Sequence, residues 1–482
     1  MGEGESTDQG VDAADLGSER RADQPTREGK PGRRPKPKAP EPDAVEIQWD
    51  VIRHYFPDFL EWLHAVEDPR KNPERCTYPI EYILILALMM FCGQCGSRRQ
   101  LGRELNGGKR FGGNIWRLIR KRYADLHCHP DTMNNVMTLL DPEELDRLIS
   151  QIVDKLRKSR VLDGLKFDGK YIVAVDGTKM LHFKKRHCEH CTHTTQNGVT
   201  TYHHYVLAAK IVTPIGLVIP FAFEFVENPE GEYDKQDCEL KAFRRLVKKI
   251  ERLYPRLPLN LLADGLYADE KTLDLGENHN WNLIITLKEK KLPSVTSQLP
   301  TGAAGWDGER KIPVVHDGKP ITRLLRWKTP VKYHGKIFHV IEMEDLNEKG
   351  ERVYYNRWIT NVKPDRTNIH DLARTGRLRW KIENEGINTQ KTGGYEMEHG
   401  YGLKGDAWKN YYLVLQIAQL FNDLVRFGDY VSKKVGDRNA SFASIFGTTR
   451  NFAARLIECM RNSSPNFHAR RAGKFQIRLR AP

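Results

Sequence analysis

Residues 171–179 read YIVAVDGTK, and this stretch decides the fold. Apolar residues without helical spacing run into Asp176-Gly177, the pattern of a buried strand that meets a turn and solvent at its carboxyl end. The pattern recurs at 259–270, LNLLADGLYADE, where the run stops at Asp264. A third acid, Glu383, lies in RLRWKIENEGINTQK (377–391), which reads as helix. Three carboxylates gathered from distant segments offer hard oxygen ligands for Mg2+ or Mn2+. A pair of such ions clamps the attacking and leaving oxygens of a phosphodiester. The expectation is a metal-dependent phosphoryl-transfer enzyme.

Around the first strand, TTYHHYVLAAKIV (200–212) and GLVIPFAFEFV (216–226) read as two more strands. KQDCELKAFRRLVKKIERLY (235–254) then has apolar residues at helical spacing before the Asp264 strand. Strands, helix and strand in this order predict a mixed α/β core. WNLIITLKE, ITRLLRWKT, KIFHVIEMED and RVYYNRWITNV form a strand-rich block ahead of Glu383, a β-rich insertion over about residues 285–362. NYYLVLQIAQLFNDLVRFG (410–428) carries an apolar helical stripe suited to packing on the sheet. The catalytic region spans 166–430.

Upstream, IQWDVIRHYFPDFLEWLHAV and EELDRLISQIVDKLRKSRVL predict a separate helical domain over 45–165. Its basic middle, GSRRQLGRELNGGKRFGGNIWRLIRKRY (96–123), suits DNA contact, although a solvated helix face has the same composition. Residues 1–44, with REGKPGRRPKPKAP, have the composition of a disordered charged arm. Residues 431–482 read as a helical basic segment ending in a frayed tail.

The chain has 482 residues and a formal net charge of +14. Its sequence pI is about 9.2 and its mean hydropathy −0.61. Such an excess of Lys and Arg draws polyanions, nucleic acid first. The longest apolar run, Ile83–Cys92, is too short to span a bilayer and reads as a core helix, so no membrane role is expected. A charged, glycine-rich start does not resemble a signal peptide. Eight cysteines in so long a chain do not make a disulfide scaffold. A cytoplasmic, nucleoid-associated protein is expected.

VDGTK at Asp176, ADGLYA at Asp264 and RWKIEN at Glu383, in this order and with strands between the second and third, resemble the DDE transposases of bacterial insertion sequences. The resemblance covers roughly 167–426. It implies a ribonuclease H-like core with a β insertion, in which Asp176, Asp264 and Glu383 hold two metal ions. It also implies cleavage at transposon ends and strand transfer into target DNA. The substrate would be double-stranded DNA bearing terminal inverted repeats, held by a homodimer or higher assembly. Arg379 meets the family's Arg-x-x-x-Glu spacing and, one turn before Glu383, suits a DNA phosphate. Gly376 stands where the family has tyrosine. Gln390 stands where it has lysine, with Lys391 next as a DNA contact turned by about 100° on an ideal helix. Trp380 suits stacking on a base, or equally the core.

Glu385 lies about 200° around an ideal helix from Glu383 and is set aside. Asp237 and Asp269 read as caps. Cys188 and Cys191, in HCEHCTHTTQNG (187–198), have metal-ligand spacing, with His187, His190, His193, His203 and His204 nearby, and these thiolates and imidazoles are candidates for a structural Zn2+, the alternative being reduced thiols on a polar loop. Cys92-x-x-Cys95 sits on an apolar helix that commonly buries cysteine. Two other classes fit parts of this pattern: a ribonuclease H-like nuclease that cuts without joining, and a catalytically inactive, transposon-derived DNA-binding protein.

Overall fold

The computed structural model describes residues 42–108, 110–122, 128–229, 236–288, 290–302, 304–316, 318–468 and 476–480. Most of the 1–44 arm therefore lies outside the described residues. The strands are β1 (Tyr171–Phe183), β2 (Thr192–Gln196), β3 (Val199–Val212), β4 (Val218–Val226), β5 (Leu259–Ala263), β6 (Asn282–Thr286), β7 (Gly308–His316), β8 (Lys319–Tyr333), β9 (Lys336–Leu346) and β10 (Arg352–Thr360). They form one mixed sheet in the order β2-β3-β1-β5-β6-β10-β9-β8-β7, with β4 also paired to β3. β1, β5 and β6 are parallel to one another, and the remaining pairs are antiparallel.

The parallel centre explains the unbroken apolar runs. A parallel strand in mid-sheet is covered on both faces, so it has no polar side to alternate with. All of β5 and the first five residues of β1 are buried. Farther out, β7 to β10 join the same sheet through the pairing of β10 with β6. The expected insertion is thus an extension of the sheet edge, and it begins after β6 rather than at 285, because β6 pairs with β5 inside the core. β2 and β7 were not read from the sequence. Their residues, THTTQ and GERKIPVVH, are too polar or too mixed to signal a strand alone.

The helices expected as a separate domain over 45–165 belong instead to one compact unit with everything from Pro42 onward. The helix Ala407–Phe427 is the reason. It is buried along nearly all of its 21 residues and touches the helices Ala44–Tyr55, Ile80–Cys92, Pro130–Leu139 and Pro142–Lys158 as well as β4. An apolar stripe able to pack on a sheet would leave one side of such a helix wet, but this one is enclosed. Several polar residues inside it are hydrogen-bonded. Asn422 donates to the Cys92 carbonyl (3.1 Å) and the Tyr395 hydroxyl (2.9 Å) and accepts from Gln48 Nε2 (2.7 Å). Asn410 donates to the carbonyls of Met137 and Leu140.

Ile80–Cys92 is buried throughout. No helix among the described residues is long and apolar enough to cross a membrane.

The carboxyl-terminal segment is also docked where described. Its helix Thr449–Asn462 packs on Ala44–Tyr55, Arg98–Gly107 and Phe111–Leu118. Arg110 donates to the Ser464 hydroxyl (2.6 Å), Arg117 to the Pro465 carbonyl (3.2 Å), and Arg461 pairs with Glu104 (3.1 Å). Several cations of the 96–123 stretch are therefore engaged within the protein.

Asn422→Ala leaves Gln48 and the Cys92 carbonyl without this partner in a dry interior. A loss of about 2–4 kcal/mol is expected. Chemical denaturation should show it as one cooperative transition; an early, separate transition of the amino-terminal helices would contradict their integration.

Candidate active site

Asp176 and Asp264 are placed by the register of two parallel strands. Ala174 of β1 is opposite Leu262 of β5, so two residues further on the aspartates stand at equivalent positions on strands about 4.8 Å apart. Asp264 follows the last residue of β5, as its Asp-Gly implied. Asp176 does not end its strand. β1 continues to Phe183 because antiparallel β3 goes on pairing with it, Asp176 opposite Ala208. What stops just before Asp176 is the parallel pairing with β5, not the strand.

Glu383 comes to these aspartates on a π-helical segment, Ile382–Asn388, which packs on β1 and β4. Arg379 is the link. Its Nη1 lies 3.5 Å from Asp176 Oδ2 and its Nη2 3.9 Å from Glu383 Oε2. Lys288 Nζ lies 3.1 Å from Asp264 Oδ2, and Gly265 makes room for that side chain, since a Cβ there would meet Lys288 Cγ at 2.8 Å. Asp264 Oδ1 also accepts the Leu266 amide (2.7 Å). Each carboxylate thus has a cation beside it. The three do not form a tight cluster: the one group of His, Cys, Asp or Glu ligand atoms that all lie within 4.8 Å of one another, among the described residues, is Cys188, Cys191 and His204.

Burial pushes the Asp176 carboxyl up to about 6; Arg379 opposes this, while the negative charges of Glu383 and Glu239 add to it. Glu239 was missed by the sequence reading. It begins the helix Glu239–Leu253, where an acid looks like ordinary complement to the helix dipole. Here it accepts hydrogen bonds from the hydroxyls of both Tyr205 and Tyr267. The Tyr205 ring lies across Gly177, where a Cβ would collide with the hydroxyl oxygen and the ring edge. The glycine of VDGTK is therefore required by packing.

The π segment also resets the helical phase of Gln390 and Lys391. A π turn holds one residue more than an α turn, so it absorbs one inserted residue without rotating the helix beyond it. Counted through it, Lys391 recovers the phase that Gln390 would have on an ideal helix. Gln390 is fully buried and donates to Gln416 (2.7 Å) and Gln419 (2.6 Å). Lys391 is partly exposed and pairs with Glu398 (2.9 Å). Glu385 pairs with Lys381 rather than joining Glu383. Trp380 is 43% exposed, which excludes a core role. The Arg379 guanidinium lies 4.6 Å from its ring centre. Trp380 lines a cavity of about 380 Å³ with Arg323, Arg374, Arg377 and Lys381.

Asp269 caps a short helix and binds Arg244. Asp237 binds Arg245 and the Glu227 amide. Cys92 is buried in its helix.

No protein-family model matches this chain, and no curated protein matches it. Among solved structures, it is similar to the cryo-EM structure of a piggyBac transposase synaptic complex with hairpin DNA. The identity is 9%, the TM-score 0.37, and the match covers 86% of this chain and 80% of that one. A likeness of that degree decides neither fold nor function.

Gly177→Ala forces the Tyr205 ring off the sheet and away from Glu239. A destabilisation of about 1–3 kcal/mol is expected. A variant as stable as wild type would show that the ring is free to move aside.

Proposed function

We propose that this protein is a DNA-processing enzyme with a ribonuclease H-like core, a DDE transposase that cuts phosphodiester bonds at transposon ends and joins the freed end to target DNA. The observation that carries this reading is the side-by-side placement of Asp176 and Asp264 at the end of the parallel pairing, with Glu383 tied to Asp176 through Arg379. The formal charge of +14 supports a polyanionic substrate; the cations around the cavity at Trp380 are already paired, Arg323 and Arg377 with Asp345, Arg374 with Asp371 and Lys381 with Glu385.

The donor set is all carboxylate oxygen, which suits Mg2+ or Mn2+. Asp176, Asp264 and Glu383 would hold the ions, two in number by resemblance, and bound ions supply charge stabilisation to the attacking and leaving oxygens of an in-line displacement. The protein's own groups do the rest. Arg379 and Lys288 neutralise the carboxylates now. When the carboxylates have other partners, the two cations are free to take a phosphate, Arg379 through two parallel N–H donors. Trp380 presents a face to an unstacked base, and Lys391 offers a further phosphate contact. Two transposon ends must be held together for joining, so a homodimer or higher assembly on double-stranded DNA belongs to this reading.

The test is a labelled duplex carrying the sequences that flank the gene, incubated with Mg2+ or Mn2+ and either wild type or Asp264→Ala. Metal-dependent cleavage and end joining, lost in the variant, are expected. Cleavage without joining would favour a nuclease, and binding without cleavage by both proteins would favour a DNA-binding protein without catalysis.

The pH dependence has a definite sign. Asp176 must lose its proton to ligate metal, and its carboxyl sits at about 6 in the folded protein. Protons compete with metal for Asp176, so at a fixed, subsaturating metal concentration cleavage should fall as pH drops below about 6, and added metal should restore it. Because the folded value is raised above 3.8, the metal-free fold binds more protons than the unfolded chain between about pH 4 and 6, and this group's contribution to stability declines as pH rises through that window. A half-saturating metal concentration that is unchanged between about pH 5 and 7 would remove Asp176 from the site.

Trp380→Ala should leave stability within about 0.5 kcal/mol, as expected of an exposed site, yet weaken DNA binding by about 1–3 kcal/mol if the ring stacks on a base. Fluorescence anisotropy with a flanking-sequence duplex measures the latter.

A further inference from the structure

The Cys188–Cys191 turn is built against β3 by contacts that do not depend on the carboxylate site. Cys191 and His204 are buried, with Cys188 partly exposed beside them. The two Sγ atoms lie 3.3 Å apart, and His204 Nε2 lies 3.7 Å from each. Around a tetrahedral zinc ion with Zn–S near 2.3 Å and Zn–N near 2.0 Å, two sulfurs stand about 3.8 Å apart and a sulfur and a nitrogen about 3.5 Å, so binding the ion needs the sulfurs to part by about half an ångström. A disulfide needs about 2.05 Å between sulfurs and no imidazole.

Neighbouring groups hold this geometry. The His204 ring is stacked on Trp408, centroids 4.3 Å apart, which fixes its orientation. Arg186 donates to the carbonyls of Cys188 (3.2 Å) and Glu189 (2.8 Å). Asn228 donates its side-chain amide to the Cys191 carbonyl (2.9 Å), and its own carbonyl lies 2.9 Å from His190 Nδ1. The donor set, two thiols and an imidazole, is soft where the carboxylates are hard, so the two sites select different ions.

We propose that Cys188, Cys191 and His204 bind a Zn2+ that fastens this turn to β3, its fourth position taken by water. His204 pairs with Met180 on β1, four residues along the ladder from the pairing of Asp176 with Ala208. The zinc therefore lies about 14 Å along the strands from the carboxylates. The β1–β3 register slips between Met180 and His182, so the ion secures the ladder where its own pairing is irregular.

The full chain, purified without chelator and under reducing conditions, should carry one equivalent of zinc by elemental analysis. A mercurial reagent that blocks thiols should release it. Cobalt substituted for zinc should give thiolate charge-transfer absorption, which an oxygen-ligated ion lacks. Cys188→Ser should lose the metal and the cobalt band, whereas Cys92→Ser should keep both. A high-affinity zinc chelator should lower the Tm of wild type by several degrees, reversed by zinc and not by Mg2+; this measurement stands even if Cys188→Ser folds poorly. Zinc well below one equivalent with no cobalt–thiolate band, or a Cys188–Cys191 disulfide under reducing conditions, would overturn the proposal. None of these readouts is DNA cleavage, so the zinc site and the transposase reading succeed or fail separately.

Discussion

The parallel pairing of β1 with β5 is the constraint on which the remaining architecture depends. Parallel strands need a crossover between them and cover on both faces. The crossover here contains β2, β3, β4 and the helix Glu239–Leu253, which packs on β3 and β4. Cover for β4 comes partly from Ala407–Phe427 and Pro142–Lys158. Because Ala407–Phe427 also needs enclosing, the amino-terminal helices are drawn into the same unit. A single pairing choice thus recruits residues from both ends of the chain.

The same pairing creates an electrostatic problem at its end. Two aspartates at equivalent positions of adjacent strands, with Glu383 and Glu239 close to the first, repel one another in a partly dry setting. Arg379 and Lys288 relieve this, and the two tyrosine hydroxyls on Glu239 satisfy the fourth acid. The Asp176 carboxyl stays raised chiefly because it is buried, with Glu383 and Glu239 adding to the effect.

Much of this was legible in the sequence where one physical effect dominated. The buried strands carrying Asp176 and Asp264, the antiparallel β3 and β4, and the four strands β6, β8, β9 and β10 all announce themselves by apolar runs. Where two effects compete, the sequence was silent or misleading. The Asp-Gly in β1 marks the loss of one neighbour and not the end of the strand, since β3 still pairs there. Helical periodicity reports that a face is apolar but not whether its partner is a near neighbour or lies three hundred residues away, so the 45–165 helices looked self-contained. Glu239 is chemically indistinguishable from any acid at a helix start until the tyrosines from β3 and from the turn after β5 are seen upon it. Cys188 and Cys191 were visible as a pair with five histidines near them in sequence, but that His204 is the one beside both thiols follows only from the folding back of β3.

The π segment after Arg379 separates two quantities that are usually treated as one: how many residues divide two side chains, and the angle between them. In a regular helix the first determines the second. Here a surplus residue is stored in a widened turn, so Lys391 takes the bearing that a regular helix would give Gln390, while Gln390 is enclosed against Ala407–Phe427. Aligning such chains by spacing alone would declare the lysine lost. The helix can lengthen or shorten by a residue at this one elastic turn while the side chains on either side of it keep their bearings.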